Sequence, residues 1–123
     1  MALRVKRAYE PASRGDGTRV LVDRLWPRGL AKDKARIDHW LKEIAPSTAL
    51  RKWFNHDSAK WEKFRARYCR ELKRNTEAVK ELRALARGGP VTLVYSARNE
   101  DHNQAVALRD YLAAPPPRRK GDG

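Results

Sequence analysis

Seven residues hold the densest chemistry in the chain. They are Asp23-Arg24-Leu25-Trp26-Pro27-Arg28-Gly29, directly behind the apolar run Val20-Leu21-Val22. Arg24 and Arg28 carry planar guanidinium forks that suit a phosphate or carboxylate. Asp23 at the strand end could orient one of them, act as a base or hold a metal. Trp26 offers a ring face to a base or a guanidinium, and Pro27 fixes the backbone of the turn. In an open α/β sheet, ligands bind beyond the carboxyl ends of the strands, so this loop is expected to line a site. The structural alternative is that Arg24 pairs with Asp23 or with a helix C-terminus, and that Trp26 is core.

A second group follows the run Val91–Tyr95: Ser96, Arg98, Asn99, Asp101, His102 and Asn103. A strand that runs into a helix N-terminus presents free N–H groups and the positive end of the helix dipole, which together favour an anion. Ser96 and Arg98 add donors. Asn99 to Asp101 reads as the cap of the last helix, which places His102 and Asn103 in its first turn. His102 and Asp23 are then the two catalytic candidates, as groups able to move a proton. The alternative is that Asn99 and Asp101 only cap and that His102 is solvated. A third group, Trp53-Phe54-Asn55-His56-Asp57, reads as two core aromatics followed by a helix-to-helix turn capped by Asp57.

Other chemistry finds no support. The chain has no Gly-rich phosphate loop of the G-x-x-x-x-G-K-[ST] or G-x-G-x-x-G kind and no G-x-S-x-G elbow. One cysteine (Cys69) and three scattered histidines (His39, His56, His102) give no metal-ligand spacing, so no metal is expected. Cys69 falls mid-helix near the apolar face and reads as packing. No residue reads as a nucleophile, and no cofactor is indicated.

The elements that must position these groups follow from periodicity. Leu3 to Ala8 alternates apolar and basic residues, as a half-exposed strand does, and Arg19 to Asp23 is a compact buried strand. Ala35 to Ile44 fits helix or strand equally. Ser47 caps a short helix through Leu50, Trp53 and Phe54. Asp57 or Ser58 opens a longer helix with the apolar stripe Trp61, Phe64, Tyr68 and Leu72. Asn75-Thr76 interrupts it, Val79, Leu82 and Leu85 continue it, and Gly88-Gly89-Pro90 stops it. Val91 to Tyr95 is the clearest strand, and Ala105, Val106, Leu108 and Leu112 mark the core face of the last helix. Strand–helix–strand order predicts an α/β fold: a small single domain with a mostly parallel central sheet flanked by helices. That domain spans 1–114, and 115–123 is a Pro-rich basic tail expected to be disordered.

The chain has 123 residues, a hydrophobic fraction of 41% and a formal charge of +13. Such a charge favours anionic ligands or polyanions. The basic residues run from Arg4 to Lys120 rather than forming one block, which weighs against a dedicated nucleic-acid module. A single cysteine fits a reducing compartment. No apolar signal core or membrane-length run is present, so a cytoplasmic protein without a membrane partner is expected. The sequence gives no oligomeric state.

Several strings in the chain are unusual together: R-V-L-V-D-R-L-W-P-R-G over 19–29, A-P-S-T over 45–48, L-R-K-W-F over 50–54, Phe64 with Tyr68, Glu71 and Leu72, and V-T-L-V-Y-S-A over 91–97 with Asn103. In these the chain resembles the YeaO-like proteins of the family called domain of unknown function 488. The resemblance runs from Val5 to Leu112. It implies a small α/β fold with a short strand around Ile37 to Leu41, and it implies no activity, substrate or cofactor. Its pattern falls on Asp23, Arg24, Trp26, Pro27, Arg28, Tyr95, Ser96 and Asn103, and less firmly on His102.

Two functions are expected from these residues. In the first, Arg24, Trp26, Arg28, Ser96, Arg98 and Asn103 bind an anionic small molecule, such as a nucleotide or a phosphorylated or carboxylated metabolite, at the ends of neighbouring strands. In the second, the basic helix face of Lys63, Arg67, Arg70, Lys73 and Arg74, with the tail Arg118-Arg119-Lys120, tracks nucleic-acid phosphates without catalysis.

Overall fold

The computed structural model describes residues 3–113. The tail expected to be disordered lies outside the described residues. Four strands form one sheet: β1 (Leu3–Arg7), β2 (Thr18–Leu21), β3 (His39–Trp40) and β4 (Val91–Tyr95). Their order is β1-β4-β2-β3, and every pairing is parallel. The most apolar strand, β4, therefore takes an inner position, with all five of its residues buried. Its Leu93 lies between Val5 of β1 and Val20 of β2. Because all strands run the same way, β2 and β4 end side by side, and the two loops singled out above leave from one edge of the sheet.

The helices are α1 (Lys32–Ala35), α2 (Thr48–Phe54), α3 (Trp61–Arg74), α4 (Thr76–Arg87) and α5 (Gln104–Ala113). Side chains alternate across a strand, and the two faces of the sheet are covered differently. Val20, Val22, Leu93 and Tyr95 join the main core with Phe54, Phe64, Tyr68, Leu72, Leu82 and Leu108 from α2 to α5. Leu21 and Val94 face the other way, into a smaller cluster with Ala8, Trp26, Leu30, Ile37 and Trp40. That second face is covered by the loop after β2 and the elements around α1 and β3.

The second face also holds an ionic knot. Arg19 and Asp16 meet at 2.6 Å with both side chains 4% exposed. Arg19 also donates to the Ala35 carbonyl through Nε and Nη2, and Lys6 reaches Asp16 at 3.1 Å. Burial alone would raise the Asp16 pKa. Hydrogen bonds from the Ser13 backbone, Lys6, the Ser13 side chain and Arg19 outweigh it and hold the carboxyl far below the ordinary carboxylate range. Beside the knot, Gly17 sits at φ +64, where an added Cβ would meet the Pro90 carbonyl oxygen at 2.3 Å. Glycine alone allows the closeness by which Thr18 N–H donates to that oxygen and starts the β2–β4 pairing.

Several expectations become specific. Ala35 to Ile44 resolves into the end of α1, a left-handed Arg36 (φ 49), the two-residue β3 and a 3₁₀ turn over Lys42–Ile44. The short strand exists because Asp38 and Leu41 donate their N–H groups to the Arg19 and Leu21 carbonyls. Ser47 does cap α2, accepting from Leu50 N–H. Asp57 opens a 3₁₀ turn over Ser58–Lys60 that leads into α3. The last helix begins later than its capping residues suggest. Asn99 Oδ1 accepts from the N–H groups of Asp101 and His102, which closes a local turn. The cap of α5 is Asn103, whose Oδ1 accepts from Val106 N–H. His102 thus precedes the helix rather than sitting in its first turn.

Candidate functional site

The loop after β2 and the turn after β4 line one cleft of about 720 Å³. Its far wall is α2, whose Arg51, Lys52, Phe54, Asn55 and His56 end reaches across the strand ends. Asp23, Arg24, Trp26, Arg28, Ser96, Arg98 and Asn103 all belong to the lining; His102 does not. It lies outside, stacked on Trp61 at 4.9 Å with Nδ1 3.0 Å from Ser58 Oγ.

Asp23 ties the two loops together. Its Oδ2 accepts from the Ser96 N–H at 3.0 Å and the Ser96 hydroxyl at 2.6 Å, and its Oδ1 accepts from the Gln104 side-chain amide. Its own carbonyl accepts from Trp40 Nε1 at 2.8 Å. Burial pushes the Asp23 carboxyl above its usual pKa, against the pull of the Ser96 hydrogen bonds, the Arg51 charge and the Gln104 amide. Both oxygens are engaged by the frame, so the carboxylate works as a clasp between β2, β4 and the first residue of α5.

Most of the other expected residues are also part of the frame. One Arg24 nitrogen donates to the Ala45 and Pro46 carbonyls at 3.2 and 3.4 Å, while its Nε is buried without a partner. Trp26 donates to the Leu30 carbonyl at 2.7 Å and meets Trp40 edge-on at 5.5 Å. Asn103 is 1% exposed and also donates to the Asn99 and Glu100 carbonyls. Arg7 holds the second turn from beneath by donating to the carbonyls of Ala97 and Ser96. Tyr9 does the same for the first, through the Arg28 carbonyl at 2.8 Å.

The cationic ends are different. Arg28, Arg51, Lys52 and Arg98 are exposed and line the cleft, and none is in an ion pair among the described residues. With Arg24 they place five positive charges around a lining whose one carboxylate is Asp23. Arg51 and Lys52 escape notice in the sequence because an adjacent Arg-Lys pair on a short helix looks like a solvated face. Only the docking of α2 turns them inward. Asn55 and His56, read from the sequence as a plain helix-to-helix turn, are both left-handed (φ 43 and 55), which swings the chain around the end of α2 and along the cleft wall.

Among the described residues there is no group of His, Cys, Asp and Glu able to hold a metal ion. Cys69 lies on α3, away from the cleft lining, and is half-buried. No helix among the described residues is long and apolar enough to cross a membrane.

The family model described as the inactive DUF488-N3 subclade matches residues 2–123. The chain is similar to the uncharacterised protein YeaO of Escherichia coli K12, with 46% identity over 91% of this chain and 97% of that protein. It is also similar to uncharacterised proteins of Mycobacterium tuberculosis H37Rv and Mycobacterium bovis, each with 41% identity over 89% of this chain and 92% of theirs. No solved structure matches it. The chain is a YeaO-like member of the DUF488 family and belongs to the subclade described as inactive.

Proposed function

We infer that the cleft binds a small anionic molecule, a nucleotide or another phosphorylated or carboxylated compound, and holds it without transforming it. The observation that carries this reading is the set of cations Arg28, Arg51, Lys52 and Arg98, without an ion pair among the described residues and facing a lining whose one carboxylate among them is already engaged by the frame. Guanidinium groups free of internal partners keep their forks for a ligand, and a cleft with low-dielectric walls focuses their field. Neither proton-transfer candidate of the sequence, Asp23 or His102, stands free in the lining, where the one imidazole is His56; this supports binding over turnover. Asp23 is clasped, and His102 faces Trp61 outside the cleft. The description of the subclade as inactive agrees.

Thermal shift against a panel of nucleotides, phosphorylated metabolites and carboxylates tests the reading. A ligand at one hundred times its Kd stabilises by about 2.7 kcal/mol. The stabilisation is expected to fall sharply in Arg28→Gln/Arg98→Gln, since the charged ends of Arg28 and Arg98 make no hydrogen bond among the described residues. A panel without a hit, or a hit that this double variant leaves unchanged, defeats the reading.

A further inference from the structure

The outer face of α3 carries a second cationic feature, separate from the cleft. Lys63, Arg67, Arg70 and Arg74 are spaced by four, three and four residues, so at 3.6 residues per turn they fall within about 60° of one another. Lys73 points about a quarter-turn to the side. The apolar stripe Trp61, Phe64, Tyr68 and Leu72 is buried on the opposite side. The basic stripe of Lys63, Arg67, Arg70 and Arg74 is exposed, and none of the four is in an ion pair among the described residues. The two glutamates of the helix do not neutralise them: Glu62 approaches Arg65, and Glu71 accepts from both the N–H and the hydroxyl of Ser47.

Like charges three and four residues apart destabilise a helix by about 0.2–0.5 kcal/mol per pair. Their concentration on one face therefore opposes stability. The stripe spans 11 residues of rise, about 16 Å, with successive side chains about 5–6 Å apart. A duplex major groove is about 12 Å wide, so the two ends of the stripe reach phosphates on both rims or follow one strand. Base stacking has no platform here. The neighbouring Trp53 is half-buried, with Arg67 at 4.1 Å and Lys60 at 5.1 Å from its ring centroid. The large exposed apolar side chains, Tyr9 and Leu25, belong to the loops around the cleft. An acidic membrane surface would want apolar side chains beside the basic ones, and this face offers none that is exposed.

We propose that the Lys63-Arg67-Arg70-Arg74 face of α3 binds the phosphate backbone of duplex nucleic acid without reading its sequence. The proposal does not depend on the cleft ligand. Binding of a short fluorescent duplex of mixed sequence, followed by anisotropy between about 50 and 200 mM salt, tests it. The full chain is expected to bind with steep salt dependence and little preference between sequences. Lys63→Gln/Arg67→Gln/Arg70→Gln/Arg74→Gln should weaken binding about tenfold or more and flatten the slope of log K against log salt by about 3. The milder Lys63→Gln/Arg70→Gln, which spares the Arg67–Trp53 contact, should flatten it by about half as much. Arg28→Gln/Arg98→Gln in the cleft and Arg118→Gln/Arg119→Gln/Lys120→Gln in the tail should bind as the unaltered chain does. Absence of duplex binding overturns the proposal, as does an unchanged slope in both α3 variants. Loss in the cleft or tail variant alone, tighter binding to a single strand, or capture by acidic phospholipid vesicles in place of the duplex also overturns it.

Discussion

Asp23 accepts three hydrogen bonds from Ser96 and Gln104, and each comes from a different group: a backbone amide, a hydroxyl and a side-chain amide. Removing the acceptor leaves a partly buried N–H without a partner, a loss of about 1–3 kcal/mol. Asp23→Ala is therefore expected to lower the urea midpoint by that equivalent. Asp23→Asn keeps an oxygen for Ser96, and Gln104 can turn its amide to match, so its cost should stay below about 1 kcal/mol. A ligand found for the cleft should bind Asp23→Asn almost as well as the unaltered chain. Strong loss of binding there, with stability kept, would make the carboxylate a ligand contact instead of a clasp.

Asp16 has the opposite titration behaviour. Its carboxyl is held below the ordinary range in the fold, and an unfolded aspartate titrates near about 3.9. The unfolded chain therefore binds the proton first as pH falls. The stability that Asp16 contributes is complete above about pH 5 and is lost progressively below about pH 4. Asp16→Asn removes that dependence and leaves Arg19 buried without its carboxylate partner, which costs about 3–5 kcal/mol. Denaturant melts of both chains between pH 2 and pH 7 check this. The variant should be much less stable at neutral pH, and the gap should narrow towards pH 2. Asp23, whose pKa is raised, works weakly the other way, gaining relative stability as its carboxyl protonates.

At the scale of elements, the sheet depends on a close approach at its lower edge. Gly17→Ala would bring a Cβ to 2.3 Å from the Pro90 carbonyl oxygen in a backbone conformation that side chains rarely adopt. It is expected to cost more than about 1 kcal/mol and to loosen the β2–β4 pairing, readable as faster amide exchange at Thr18 and Val22. The strands and the long helices were legible in the sequence because their apolar patterns are long and punctuated. Gly88-Gly89-Pro90 before β4 and Ser47 before α2 act where they stand. The segment from Ala35 to Ile44 was not legible, because β3 owes its form to carbonyls on β2 and carries little pattern of its own. The start of α5 was misplaced because Asn99 offers a good capping side chain and closes a turn with it, leaving the helix to Asn103. For the site, the meeting of the two loops followed from parallel strand order, whereas Arg51 and Lys52 depend on how α2 docks.

The molecule as a whole is a four-stranded parallel sheet with its main core on one side and a loop-covered, ionic layer on the other. Its parallel strands place the cleft at one end, while the basic stripe lies on an outer helix. The first and last strands are partners, Leu3 beside Val91, so β1 has no strand to pair with until β4 exists. A ribosome adds about 5–20 residues per second, so the N-terminal strand waits several seconds with unpaired backbone groups, during which a chaperone or a second nascent chain can reach them. Helices α2 to α4 are complete before the sheet can close. The fold is therefore finished from its C-terminal half, and premature termination before Val91 should yield a helical fragment that lacks β4, the strand joining β1 to β2, and is prone to aggregation.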